Sequence, residues 1–185
     1  MPRAISQTHP LRVLFAELVQ RHLLNAAQLN DVPIARYIAD LLVDFCHVDN
    51  LYRVRNARGK RLEDVGEMLI ASNPLLEGHS FIYEREMRKH IGDYTLFLAG
   101  LFPEHLARIH REKRRLDSFV DYLKAGKESY GIVAAFDQFE FRDEAPLFRR
   151  LADRFELCVF GLNLVKQDLA RQQDTYYRQV RAILS

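Results

Sequence analysis

The sequence has few of the residues that interrupt helices. Its 185 residues include 8 glycines and 6 prolines, which favours long helices joined by short loops. Strand patterns are also missing, because the apolar runs lie inside windows much longer than a typical strand. Hydrophobic residues make up 48% and charged residues 28%, which is typical of a globular protein and not of a disordered or fibrous one. We therefore predict an all-α, single-domain bundle over residues 1–185, with roughly six or seven helices.

Cysteine is scarce and long apolar runs are absent. Cys46 and Cys158 are the only cysteines, and each lies within an apolar helical pattern, which is typical of a reducing compartment. The longest apolar run, residues 94–102, is far shorter than the roughly 20 residues that span a bilayer. The N-terminal stretch has no uninterrupted apolar core, so no signal peptide is predicted. These features predict a cytoplasmic protein without a membrane segment.

The sequence also has little net charge, because it contains 27 basic and 25 acidic residues. A dedicated nucleic-acid binder usually carries a stronger positive field. Two local clusters are nevertheless basic. The first, within residues 52–61, contains Arg53, Arg55, Arg58, Lys60 and Arg61. The second, within residues 108–115, contains Arg108, Arg111, Lys113, Arg114 and Arg115. Arginine suits phosphates and carboxylates, so anion or RNA binding is one hypothesis. The other hypothesis is that both clusters are exposed segments that keep the protein in solution. A nucleic-acid partner is not favoured.

Hydrophobic periodicity places the helices. We predict helices over about residues 8–22, from Asp31 to Val48, from Leu62 to Ala71, over 79–101, over 104–124 with an end at Gly126, and a long one after Arg142. The last helix has a near-heptad seam formed by Leu147, Leu151, Phe155, Cys158, Leu162, Val165 and Leu169. Residues 94–102 and 157–165 are apolar on all sides, so we predict two fully buried central helices that pack against each other.

Acidic residues and histidines form two rows at helical spacing. Glu86, His90 and Asp93 are one row, and the other is Asp40, Asp44 and His47. Facing helices with such residues build di-iron or di-manganese sites in helical bundles. Glu86, His90, Asp44 and His47 are therefore candidate metal ligands for iron or manganese. The spacing departs from the usual Glu-x-x-His pattern, and the second row lies opposite the apolar face of its helix. The interpretation that we favour is that both rows are solvated or boundary faces. We predict His22 to be a hydrogen-bonded core histidine.

Catalytic signatures are absent from the sequence. There is no HExxH, GxSxG or glycine-rich dinucleotide motif, and "KAGKES" at 124–129 fails the phosphate-loop pattern at Asp121 and Glu128. No catalytic residue is assigned and no cofactor is predicted. The leading hypothesis is a non-enzymatic helical protein that binds another protein or itself. Its candidate interface is the C-terminal Tyr176, Tyr177 and Arg178, whose composition resembles that of protein interfaces. A metal-dependent bundle oxidoreductase is the alternative.

Overall fold

The predicted all-α class is confirmed by a computed structural model, which describes residues 10–56, 59–73, 75, 80–106, 108, 119–171, 178 and 182. Within these residues there is no β-strand, only an isolated bridge between Arg55 and Arg61. The helices are α1 (Pro10–Val19), α2 (Val32–Asp44), α3 (Val48–Leu51), α4 (Val65–Ala71), α5 (Phe81–Leu101), α6 (Phe119–Ala135), α7 (Ala145–Asp153) and α8 (Phe155–Arg171). A π-helical segment, Gln20–Ala26, follows α1, and a short 3₁₀ helix, Phe139–Phe141, follows α6.

Capping side chains determine where several helices begin. Asp31 accepts a hydrogen bond from the amide of Ile34 at 3.1 Å and starts α2, as its sequence position predicted. Asp64 caps α4 by accepting from the amides of Gly66 and Glu67. That helix therefore starts at Val65 and not at the predicted Leu62. Ser80 caps α5 by accepting from the amide of Tyr83.

The central helix α5 meets α8 at close range. All residues from His90 to Phe102 are buried, so the first of the two predicted central segments is covered on all sides. A Cβ atom at Gly100 would lie 2.5 Å from the Leu162 side chain, which shows how closely α5 and α8 approach. The second segment is not fully buried. Phe160 is 52% exposed, because α8 packs on the bundle with one side only.

The predicted break at Gly126 is wrong, because α6 runs through this residue. A Cβ there would lie 2.3 Å from Thr95 Oγ1 and 2.4 Å from the Phe155 ring. Glycine at this position therefore lets α6 pack tightly against α5 and α8 and does not end the helix. The helical propensity lost with glycine is about 1 kcal/mol, and close packing offsets it.

The predicted long helix after Arg142 is two helices. The helix is interrupted at Arg154, whose guanidinium donates a hydrogen bond to the carbonyl oxygen of Leu29 at 2.8 Å. Asp31 lies 3.7 Å from the same guanidinium and 2.8 Å from Nε of Arg150. The two arginines thus tie the α7–α8 junction to the segment that leads into α2. The seam itself is confirmed from Leu151 to Leu169, since its members in this range are buried.

No helix in the described part of the chain is long and apolar enough to cross a membrane.

Candidate functional site

The middle of α5 carries a buried polar network, which we call the tyrosine–aspartate network and define as Tyr37, Lys89, Asp93 and Tyr130. Asp93 is 2% exposed. Its Oδ1 accepts hydrogen bonds from the hydroxyls of Tyr37 at 2.5 Å and Tyr130 at 2.8 Å. Its Oδ2 accepts from Nζ of Lys89, one helical turn earlier, at 3.0 Å. Every member therefore has a partner, as buried charged and polar groups require.

The network joins three helices, because Tyr37 is on α2 and Tyr130 is on α6. Gly92 makes the approach of α6 possible. A Cβ at this position would lie 2.5 Å from the Tyr130 ring. The Tyr37 and Tyr130 rings both pack on Phe148 of α7, with centroids 5.5 Å and 5.6 Å away. The hydroxyl groups are therefore held in place by aromatic packing.

Burial sets the protonation of the two tyrosines. It raises the pKa of Tyr37 and of Tyr130 well above the usual value, and the charge of Asp93 adds to this effect. Both hydroxyls consequently keep their protons and act as donors to the carboxylate. Lys89 lies with Nζ 5.2 Å from the centroid of the Tyr37 ring, a distance at which an ammonium group and a ring face attract each other.

A cleft of about 340 Å³ opens above this network, and we call it the α1–α5 cleft. Residues of α1, α2 and α5 line it: Arg12, Tyr37, Asp40, Leu41, Asp44, Lys89 and Asp93. Arg12 forms an ion pair with Asp40 across the mouth of the cleft. Two members of the second predicted row, Asp40 and Asp44, thus lie on the same cleft as Asp93.

The candidate metal ligands are not brought together. Glu86 is exposed and pairs with Arg85 at 2.8 Å, whereas His90 is fully buried. His47 is exposed and follows the end of α2, so it does not continue the face of Asp44. Among the described residues, no three His, Cys, Asp or Glu side chains are placed to hold a metal ion. The geometry therefore gives the metal hypothesis no support.

His90 is a core histidine that stays neutral. Burial and, to a lesser extent, the positive charge of Arg53 lower its pKa to about 3 against the opposing effect of Asp93. Neither ring nitrogen has a hydrogen-bond partner of normal geometry within the described structure. The backbone at Leu51 raises the pKa of His90 only slightly. The ring packs between Phe45 and Tyr94, with centroids 5.9 Å and 6.0 Å away.

His22 fulfils its prediction as a hydrogen-bonded histidine. Its Nε2 lies 2.8 Å from Oδ2 of Asp168 on α8, and the side chain is 15% exposed.

The first basic cluster forms a tight turn whose charges are partly neutralised. Gly59 adopts a φ of +77°, which glycine tolerates best. Lys60 pairs with Glu67 at 3.2 Å and Arg61 with Asp49 at 3.0 Å. Arg53 and Arg55 are exposed, and Arg58 lies outside the described residues. Internal pairing of two cations weakens the case for phosphate binding.

The other predicted sites fall mainly outside the described residues. Arg111, Lys113, Arg114 and Arg115 of the second basic cluster are not described, and neither are Tyr176 and Tyr177. Arg108 lies with a guanidinium nitrogen 3.1 Å from Nδ1 of His105. Arg178 is helical and exposed.

A second candidate site lies where α5 begins, and we call it the acid-rimmed aromatic end. Its apolar side chains are Phe81, Ile82 and Phe139, which are 72%, 56% and 90% exposed. Arg85 connects the two segments. Its Cζ lies 3.9 Å from the centroid of the Phe141 ring. Phe81 precedes Arg85 by one helical turn and Phe139 precedes Phe141 by two residues, so the exposed rings share one end of the bundle.

The segment that contains Phe139 is rich in carboxylates. In "DQFEFRDE", residues 137–144, the exposed acids are Asp137, Glu140, Asp143 and Glu144, and Arg142 is the one exposed base. Glu144 and Glu86 both pair with the buried guanidinium of Arg85, at 2.6 Å and 2.8 Å. Acidic residues therefore outnumber basic ones near Phe139, although two of them are paired with Arg85.

Several of these residues carried only weak signals in the sequence. Tyr37 and Tyr130 fitted apolar helical stripes, and their hydroxyl groups gave no sign of a shared partner. The spacing of Lys89 and Asp93 by four residues, just before a fully apolar run, was the available signal for the network. Nothing in the sequence marked Phe139 as exposed.

Comparison of the chain with protein-family models, curated proteins and solved structures found no match.

Proposed function

We propose that this protein is a non-enzymatic interaction module, and that the acid-rimmed aromatic end binds a basic segment with apolar side chains on a partner protein. The observation that carries the proposal is Phe139. This residue is 90% exposed and has a φ of +51°. No packing of its ring within the described chain accounts for either property.

The backbone of Phe139 supports this proposal because the conformation is unfavourable. A left-handed backbone disfavours an ordinary L-residue by roughly 1–2 kcal/mol, and glycine or asparagine would occupy it more easily. Retaining a large ring here is consistent with a role in contacts outside the chain. Aromatic residues are enriched among the side chains that dominate binding energy at interfaces.

The charge around Phe139 supports a basic partner. Five carboxylates, the four exposed acids of residues 137–144 and Glu86, outnumber the two guanidinium groups of Arg142 and Arg85. Complementary charge speeds association and selects against acidic partners. Phe81 and Ile82 add two exposed apolar side chains at the start of α5, and a site with apolar and acidic groups suits an amphipathic helix with leucines on one face and lysines on the other.

A labelled amphipathic peptide of leucine and lysine tests this proposal by fluorescence anisotropy. We expect the full chain to bind it, with weaker binding at higher salt because the contact is partly electrostatic. A matched peptide with glutamate in place of lysine should bind at least about tenfold more weakly. Phe139→Ala should reduce binding of the lysine peptide by a similar factor.

Phe160→Ala is the matched control, because Phe160 is another exposed aromatic residue on a different helix. Equal binding of the two peptides, or equal effects of the two substitutions, would contradict the proposal. A second copy of the chain is the other partner suggested by the sequence. Sedimentation velocity of the wild type and of a variant without residues 172–185 measures that contribution, including any from Tyr176 and Tyr177.

The remaining parts of the proposal are a cytoplasmic location and independence of cofactors. The free thiols of Cys46 and Cys158 support a reducing compartment. Burial raises the pKa of Cys158 to about 12, so this thiol is poorly suited to act as a nucleophile.

A further inference from the structure

The walls of the α1–α5 cleft carry charges of both signs at defined positions. Asp40 and Asp44 are one turn apart on α2, and Lys89 of α5 lies with Asp93 at the inner end. Arg12 and Asp40 pair with each other, as do Lys89 and Asp93. Asp44 makes no side-chain hydrogen bond or ion pair within the described residues. The cleft thus has one more carboxylate than it has cations.

Lys89 has donor capacity beyond its internal pair. An ammonium group has three N–H donors, and Asp93 accepts from one of them. The side chain is 24% exposed, so it is accessible from the cleft. Tyr37 and Leu41 add an aromatic and an aliphatic surface between the charged groups.

From this arrangement we propose that the α1–α5 cleft binds a small zwitterion with an apolar side chain, of the size of a free amino acid. Its ammonium group pairs with Asp44, its carboxylate accepts hydrogen bonds from Lys89, and its side chain lies against Leu41 and Tyr37. A cleft of about 340 Å³ is near the lower limit of about 300–1,000 Å³ for ligand pockets, which fits a ligand of this size.

The network beneath the cleft gives the proposal a second line of support. Burying a carboxylate and an ammonium group is no more stabilising than filling the same space with apolar side chains. The tyrosine–aspartate network instead fixes Lys89 at the cleft, since Asp93 is held by two tyrosine hydroxyls. A specific binding site requires that the side chains in contact with the ligand are held in place, as Lys89 is here.

Equilibrium dialysis of the full chain with isotopically labelled L-leucine tests the proposal. Unlabelled leucinamide, which lacks the carboxylate, and N-acetyl-L-leucine, which lacks the ammonium group, serve as competitors. We expect saturable leucine binding below about 10 mM, and we expect each competitor to be at least about tenfold weaker than unlabelled leucine.

Asp44→Asn should weaken leucine binding by at least about tenfold, with an unchanged circular dichroism spectrum because the side chain is exposed. Asp49→Asn is the matched control. It makes the same change at an exposed aspartate that pairs with Arg61 and does not line the cleft. Phe139→Ala should leave leucine binding unchanged, so this proposal and the proposed protein-binding function succeed or fail separately.

Three results would overturn the proposal: no saturable binding of leucine, equal competition by the three compounds, or equal effects of Asp44→Asn and Asp49→Asn.

Discussion

The two candidate sites lie two helical turns apart on α5, yet they depart from ordinary packing in opposite ways. At residues 81–86 and 137–144, large apolar groups are exposed where polar ones would be usual. At residues 89–93, a buried carboxylate, Asp93, pairs with the partly exposed Lys89 where apolar groups would be equally stable. Each region therefore has a feature that stability alone does not explain. It also predicts opposite responses to substitution, since the first should be tolerant and the second sensitive.

The largest effect is expected from a fall in pH, which should reduce the stability of the fold because His90 becomes protonated. An unfolded histidine binds a proton near pH 6.5, whereas burial lowers the pKa of His90 to about 3. The unfolded chain therefore binds more protons between these values, so the contribution of His90 to stability is complete above pH 6.5. It is lost as the pH falls toward 3, by as much as about 5 kcal/mol.

Urea unfolding between pH 7 and pH 4 measures this loss. His90→Leu should flatten the dependence, whereas His47→Leu, at an exposed histidine, should leave it unchanged. If the three proteins lose stability in parallel as the pH falls, His90 does not stay neutral in the core.

Asp93→Ala should destabilise the fold by about 3–5 kcal/mol, because it leaves Lys89 and two tyrosine hydroxyls without their acceptor. At the acid-rimmed aromatic end, Asp143→Ala should change stability by no more than about 0.5 kcal/mol. Chemical denaturation of both variants tests the contrast directly. Replacing the pair together, as Asp93→Leu with Lys89→Met, should recover only the part of the loss that comes from the unpaired Lys89, because both tyrosine hydroxyls remain without an acceptor. Equal effects of the two alanine substitutions would contradict the assigned difference.

Gly92→Ala should cost about 1–3 kcal/mol, since its Cβ would lie 2.5 Å from the Tyr130 ring. Gly131→Ala is the matched control on α6, because a Cβ there meets no atom within 4 Å. That change should stabilise the protein by up to about 1 kcal/mol through helix propensity. Thermal unfolding of the two variants gives the comparison, and a loss of stability in both would argue against the Gly92–Tyr130 contact as the cause.

Phe139→Gly has the smallest expected effect, a gain of about 0.5–1 kcal/mol from relief of the left-handed backbone. Phe139→Leu keeps a side chain with a Cβ at this position and should show no gain. Unfolding by guanidinium, with wild type and both variants side by side, resolves a change of this size. A loss of stability in Phe139→Gly would show that the ring contributes to the fold.

Sequence reasoning predicted the parts of the fold that depend on local chemistry. The start of α2 near Asp31 and the apolar seam of α8 were visible because neighbouring residues determine them. Gly126 was misread as a helix end, since the sequence does not show that Thr95 and Phe155 would approach it. The break at Arg154 was missed for the same reason, because its partners Leu29 and Asp31 are more than 100 residues away.

The candidate sites were less predictable than the fold. Asp93 was part of a recognised row, but its partners Tyr37 and Tyr130 come from two other helices and fitted apolar patterns. Asp40 and Asp44 looked like a solvated face, and they are exposed, yet α1 and α5 make that face one wall of a cleft. Exposure of Phe139 depends on how residues 137–144 leave α6, which hydrophobic periodicity does not encode.

The clamp formed by Asp31 with Arg150 and Arg154 has a consequence for the order of folding. It joins positions 119 residues apart in the chain, so nearly two thirds of the polypeptide must be arranged before it can close. Contacts of such long sequence separation form late, after local helices and their nearest pairings. Substitution of Arg150, which leaves the Asp31 cap of α2 intact, should therefore accelerate unfolding and leave the refolding rate nearly unchanged, which makes this clamp a determinant of how long the native state persists.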